Sequence, residues 1–312
     1  MNVLLWHVHG SWTTAFVHGP HRYLLPVLPD RGPDGRGRAR TWEWPHNAIE
    51  VTPEDAAVAD VDVVILQRPQ ELFGLAERWL DGRAPGRDVP AIYLEHNAPQ
   101  GRINDLRHPA ADRADLTIAH VTHFNELFWD AGTTRTRVIE HGIVDPGHRY
   151  TGELPRAAVA INEPVRRARI TGTDLIERFR DAAPVDLFGI GTADLGGVED
   201  PPQEVMHREL ARRRVYVHTI RWTSLGLSLI EAMQLGMPVV ALATTEVPGA
   251  VPADAGVTST DVGLLVRSVR RLVEEPEEAA LLGKRARAVA IERFGLDRFL
   301  ADWNQLLEEA TA

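Results

Sequence analysis

Residues 216–242 read YVHTIRWTSLGLSLIEAMQLGMPVVAL, and the fold is decided there. Tyr216, Val217 and His218 end a short run of strand formers, and a polar loop follows. The residues from Leu225 to Leu235 are expected as a helix with Ser224 as its cap, since its hydroxyl can accept from the free amides of the first turn. Gly236 stands where a left-handed residue ends a helix, and Pro238 prevents the helix continuing. Val239, Val240, Ala241 and Leu242 form the short apolar run of a buried parallel strand. The pattern is strand, loop, helix, turn, strand. Such a unit presents the amides of Leu225, Gly226 and Leu227 at a positive helix end, which suits a phosphate. Gly226 lets a ligand approach the backbone. Glu231 lies one turn beyond Leu227 on the same face, where a carboxylate can accept from both hydroxyls of a ribose. Spacing alone is also met by a plain crossover whose Glu231 is solvated.

A chain of 312 residues has room for two domains, and its 44% hydrophobic and 25% charged content is that of a globular protein. The net charge of −10 argues against a nucleic-acid partner, which would demand a basic face. The absence of cysteine excludes disulfides, thiolate catalysis and Cys-ligated zinc. The N-terminus has no basic leader, and no run reaches the roughly 18 apolar residues of a membrane span. A cytoplasmic location without a transmembrane segment is the expectation.

Residues 3–8 read as a first buried strand, followed by a loop with Gly10 and Ser11 at its ligand-facing end. His7, His9, His18 and His21 lack a carboxylate at ligand spacing and read as packing or surface histidines, with no metal expected. The glycines and Pro33 of residues 31–40 predict a loop, and only a short segment at 22–28 stands in place of a long first helix. Strands are expected at 61–67, at 90–95 (ending in His96) and at 114–122, with helices at 71–80 and 125–131. A linker at 149–156 precedes a strand at 157–162. The next loop carries Arg166, Arg167 and Arg169, whose guanidinium forks suit a diphosphate, and Thr171 or Thr173 is placed to cap the helix after it. Beyond a strand at 184–189, the glycines at 189 and 191 are a weak nucleotide signal. Helices are expected at 206–214, 261–274, 276–294 and 299–308.

The segment SLGLSLIEAMQLGMPVVA, residues 224–241, is similar to the donor-binding segment of the retaining GT-B glycosyltransferases of family 4. Residues 138–145 resemble that family's Val-Ile-Pro-Asn-Gly-Val-Asp turn, and residues 171–176 its Gly-x-Asp-Leu-Leu segment. The resemblance implies an α/β protein of the GT-B fold, with two Rossmann-like domains facing across a cleft. Its domains would be residues 1–150, on the acceptor side, and 151–312, on the donor side, with the last helix crossing back. A nucleoside-diphosphate sugar would be the donor. Gly226, Leu227 and one or more of Arg166, Arg167 and Arg169 would hold its diphosphate, and Glu231 its ribose. Trp222, Thr223 and His96 would flank the sugar, and Gly10 and Ser11 would touch donor or acceptor. Two positions depart from the family: Thr223 stands where its first glutamate is usual, and Thr171 where its lysine is usual. No protein nucleophile, cofactor or metal is implied.

Three rivals remain. A non-catalytic or divergent nucleotide-sugar-binding protein is favoured by Thr223 and Thr171. A sugar-nucleotide epimerase would need an acid/base set at C2 that the sequence does not display. A Rossmann oxidoreductase would need Gly-x-Gly-x-x-Gly after the first strand, where only Gly10 is found.

Overall fold

A computed structural model describes residues 1–40 and 42–312. The chain divides into two compact units, Met1–Val144 together with Leu296–Ala312, and Asp145–Gly295. The boundary lies ahead of residue 150, because Arg149 and Tyr150 already donate their amides to Leu235 in the second unit.

The first unit holds β1 (Asn2–Leu5), β2 (Arg22–Pro26), β3 (Ala48–Val51), β4 (Val63–Leu66), β5 (Ala91–Glu95), β6 (Thr117–His120) and β7 (Arg135–Val138). They form one parallel sheet in the order β3-β2-β1-β4-β5-β6-β7. Successive side chains leave a strand on opposite faces, so Val3, Leu5, Val63 and Ile65 enter one core while Leu4, Val64 and Leu66 enter another. The first core is completed by the chain's end: the Leu296–Thr311 helix contributes Phe299, Trp303, Leu306 and Leu307, spaced along one face.

Two elements differ from the sequence expectation here. Gly10 opens a helix, Gly10–Phe16, where a loop is predicted. Thr13 and Thr14 return their hydroxyls to the carbonyls of His9 and Gly10, and burial of Trp12 and Phe16 outweighs the weak helix propensity of the segment. The segment at 22–28 is mostly a strand, β2, closed by Pro26. The helical stretch after β4 is kinked, with Phe73 and Gly74 out of helical geometry.

The second unit holds β8 (Leu154–Ala160), β9 (Val185–Gly189), β10 (Val198–Glu199), β11 (Arg213–His218), β12 (Val239–Leu242) and β13 (Gly256–Ser259), all parallel, in the order β10-β9-β8-β11-β12-β13. Val239–Leu242 is buried throughout, as a strand covered on both faces must be. The Leu227–Leu235 helix ends on Gly236 in the left-handed conformation, at φ 87°.

In each unit the strand order reverses once. The reversal lies between β1 and β4 in the first and between β8 and β11 in the second. In open α/β sheets the crevice for ligands lies beyond the carboxyl ends of the strands at such a reversal.

Candidate active site

In the second unit the loops that leave β8 and β11 are joined by hydrogen bonds. Thr219 Oγ1 donates to the Thr171 carbonyl at 2.7 Å, the Arg221 amide to the Ile170 carbonyl at 2.8 Å, and Arg221 Nη1 to the Arg169 carbonyl at 2.9 Å. Ser228 Oγ, in the first turn of the Leu227–Leu235 helix, accepts from Tyr216 Oη at 2.9 Å and donates to the Ala160 carbonyl at the end of β8. The arginine loop and this helix N-terminus thus share one rim of the sheet.

Ser224 does not cap that helix. The cap position is Gly226, in extended backbone, which has no side chain to offer the first-turn amides. A Cβ on Gly226 would lie 2.5 Å from His218 Cε1, so only glycine fits beneath the turn. His218 is 2% exposed, both of its ring nitrogens are without a partner among the described residues, and burial pushes its pKa down to about 4.

The three arginines differ. Arg166 pairs with Glu163, and Arg169 Nη1 pairs with Asp174 at 3.2 Å. Asp174 also receives Arg221 in a fork at 2.5 and 2.8 Å. Arg167 makes no ion pair or side-chain hydrogen bond among the described residues, and half-burial with Arg166 alongside lowers its pKa from the ordinary value. Thr171 and Thr173 cap no helix: the 3-10 turn Thr173–Leu175 starts from Gly172 without a side-chain cap. Their hydroxyls bond each other at 2.9 Å and the Ala168 and Pro164 carbonyls at 3.0 and 2.7 Å, so the fully buried Thr171 supplies no substitute for a lysine charge.

Glu231 is 3% exposed and both its oxygens are engaged. Gln203 Nε2 donates to Oε1 at 3.2 Å, and His207 Nε2 lies 3.2 Å from Oε2. A carboxylate only accepts, so that nitrogen carries the proton. Gln203 and His207 are functional candidates that the sequence reading missed. The spacing of 203, 207 and 210 along the Gln203–Arg212 helix was the available signal. Trp222 is 36% exposed in the bend at 221–224, and Thr223 sits half-buried beside it. The amides of Gly191, Thr192 and Ala193 all donate to the Glu199 carboxylate, at 2.8, 2.9 and 3.1 Å, so the chain itself fills that nest.

His96, Gly10 and Ser11 belong to the first unit, where the loops after β1, β4 and β5 converge. Gln67 Nε2 donates to the Trp6 carbonyl at 2.7 Å, which turns Gln67 Oε1 toward His96 Nε2 at 3.2 Å. His96 therefore holds its proton on Nε2. Its ring lies 4.0 Å from that of His9 and stacks 6.4 Å from that of His141. Burial, with these two neighbours, holds His96 well below the ordinary histidine range, so at neutral pH it offers a hydrogen bond and no charge. His9 and His141 are further members of this cluster that isolated positions in a sequence cannot reveal. The other early histidines are dispersed: His7 faces the Gly37 carbonyl, His18 the Thr14 carbonyl and His21 the side chain of Asn304.

Comparison with known proteins adds three findings. Residues 198–289 match the family model described as Glycosyl transferases group 1. The structure resembles sucrose-phosphate synthase from Thermosynechococcus elongatus with a TM-score of 0.73 and 14% identity, covering 99% of this chain and 98% of that one. It resembles Anabaena HepE, solved in complex with UDP-glucose, with a TM-score of 0.70 and 16% identity, covering 99% and 100%. A curated relative, the crossover junction endodeoxyribonuclease RuvC of Halorhodospira halophila (strain DSM 244 / SL1), is 30% identical over 146 residues, 44% of this chain and 80% of that protein. That match spans less than half of the chain, whereas the structural likeness, of the GT-B fold, spans both units.

Proposed function

We propose that the chain is a glycosyltransferase, on the match of residues 198–289 to the Glycosyl transferases group 1 model and on its GT-B fold, and that it transfers a sugar from a nucleoside-diphosphate donor with retention of anomeric configuration. The donor binds the second unit. The observation that carries this reading is the strand reversal between β8 and β11: an arginine loop lies on one side of it and a helix N-terminus that begins at a glycine on the other. The amides of Gly226 and Leu227 and the guanidinium of Arg167 hold the diphosphate. Arg166 and Arg169 are occupied by Glu163 and Asp174 and contribute less. Glu231 accepts from the ribose. Trp222 and Thr223 border the sugar, and in the first unit the neutral His96, its Nε2 proton turned to Gln67, offers a ring nitrogen acceptor. Gly10 and Ser11 line the rim that receives the acceptor.

Negative charge develops on the leaving diphosphate as the glycosidic bond breaks. Fixed amides and a guanidinium stabilise that charge without reorganising, which is the main catalytic contribution such a site can make. The leaving phosphate oxygen then takes the acceptor's proton on the same face, so no protein nucleophile, metal or cofactor enters the scheme. The net charge of −10 supports reading the partners as small or glycosidic molecules and not nucleic acid.

A second reading has two observations in its favour. Thr223 brings no carboxylate to the sugar, and the buried Thr171 hydroxyl is spent on the loop's own carbonyl, so the chain would bind a nucleotide sugar without transferring it. A thermal-shift screen with UDP, GDP, ADP, CDP and their sugars tests the donor site. A hundredfold excess over the dissociation constant stabilises the native state by about 2.7 kcal/mol. Release of nucleoside diphosphate from the sugar that binds, with the anomer of the transferred sugar read by NMR, separates enzyme from binder. No shift with any nucleotide would remove the donor site.

A further inference from the structure

The proposed ribose role of Glu231 leaves open what fixes its carboxylate. Glu231 lies on the Leu227–Leu235 helix, and the two groups that meet it come from a different element, the Gln203–Arg212 helix. Along that helix Gln203, His207 and Leu210 recur at four and three residues, so they share a face; His207 and Leu210 are buried at 5% and 0% exposure. A carboxylate buried to 3% must be hydrogen-bonded to remain charged. Each partner gives it one N–H bond, and neither needs a charge of its own to do so.

We propose that Gln203 and His207 are positioning residues that clamp one oxygen each of Glu231, leaving the carboxylate's remaining lone pairs for the two hydroxyls of the donor ribose. The inference rests on the reading of Glu231 given above. The count supports it. An ionised carboxylate has about four acceptor sites. Gln203 takes one on Oε1 and His207 one on Oε2. Two sites remain, the number a ribose diol uses. With each oxygen held by a different side chain, the carboxylate plane is fixed, and a fixed plane discriminates a diol from a single hydroxyl where a freely rotating one adapts. A buried polar site built to meet a hydroxyl rejects the analogue that lacks it, because its own group is then left unpaired.

The test compares the full-length protein's affinity for whichever of UDP, GDP, ADP or CDP binds best with that for its 2′-deoxy form, by isothermal titration. Wild type is expected to favour the ribose form by on the order of tenfold. Gln203→Leu and His207→Phe should bring that ratio toward one while affinity for the 2′-deoxy nucleotide stays within about twofold. His207→Gln, which keeps an N–H donor, should restore most of the preference. Parallel loss of both affinities, or an unchanged ratio in folded variants, overturns the inference and leaves the pair as ordinary partners of a buried carboxylate. Glu231→Gln separates the two claims. If it leaves the ratio at the wild-type value, Glu231 does not hold ribose, and the reading beneath the inference fails with it. If it abolishes the preference while the Gln203 and His207 variants do not, the ribose role stands and the clamp alone is wrong.

Discussion

A half-buried guanidinium that no carboxylate contacts directly carries a desolvation cost, and a bound diphosphate would offset it. Arg167 is in this position, whereas Arg166 and Arg169 each have an acidic partner within their own loop. Arg167→Ala is therefore expected to weaken nucleoside-diphosphate binding by about 10- to 100-fold, the range of one lost charge-assisted bond. Arg166→Ala and Arg169→Ala should each change it by less than about fivefold, since exposed ion pairs contribute little. Titration calorimetry on the three variants ranks them, and an equal loss at all three would show a diffuse basic loop. Gly226 makes a second residue-level case, because a Cβ there meets the His218 ring. Gly226→Ala should displace either the ring or the first-turn amides and lower nucleotide affinity. Pairing it with His218→Ala should recover part of that loss, giving a coupling energy of about 0.5–3 kcal/mol in a double-mutant cycle. Additive effects would mean that the ring and the turn are independent.

Elements carry the next set of constraints. The β8 and β11 loops stay joined only where the backbone can come close, and Gly172 is that place: its φ is +70°, and a Cβ would run into the Thr219 carbonyl. Gly172→Ala should destabilise the second unit by about 1–3 kcal/mol and lower nucleotide affinity along with it. Denaturant unfolding of the folded variant measures the first effect, and a midpoint equal to wild type would refute the role given to this contact. How far the sequence disclosed these elements follows from where their signals lie. Gly236, Pro238 and the apolar run after them act locally, so the end of the Leu227–Leu235 helix and β12 were legible residue by residue. The helix expected at 261–274 begins at Val262, and Asp261 just ahead of it accepts from the Gly263 amide. Ser224 misled because a hydroxyl in the right neighbourhood says nothing about the φ and ψ that decide the cap, and those fall on Gly226. The Gly10–Phe16 helix was unreadable for another reason, since the burial of Trp12 and Phe16 that holds it depends on residues near 300. The site divides in the same way. Glu231 and the arginines announce themselves by motif, while which arginine lacks a partner, and what holds Glu231, are pairings between distant segments that no local spacing encodes.

At the scale of the whole chain, the first unit is built from both ends of the sequence, and two predictions belong there. Trp303 is 1% exposed in the core shared with Trp12 and Phe16. Trp303→Ala should destabilise the first unit by about 3–5 kcal/mol yet leave nucleotide affinity near wild type, because every residue assigned to the diphosphate and ribose lies within Asp145–Gly295. Hydrogen exchange confined to the first unit would agree with this, and exchange spreading equally through both would not. The second prediction concerns acid. His120, His141 and His218 are buried, and burial lowers their pKa values to about 3, 3 and 4. Their unfolded value is near 6.5. Between that value and about 4 the unfolded chain therefore binds protons that the native state refuses. The sign follows: stability is fully present above pH 6.5 and falls as pH falls, each ring contributing at most about 1.4 kcal/mol per pH unit. Glu71 works the other way, since burial raises its pKa and protonation relieves a cost in the native state. Carboxylates such as Asp145 and Asp186, lowered by their arginines, act below the ordinary carboxylate range and leave the histidine window clear. Denaturant unfolding from pH 7.5 to 4.5 should show a continuous loss of stability. His120→Leu, which removes a ring whose two nitrogens lack partners among the described residues, should make that loss shallower by the share of one histidine. A flat profile in the wild type would mean that these rings become protonated in place, with water or a rearranged core reaching them before the fold gives way.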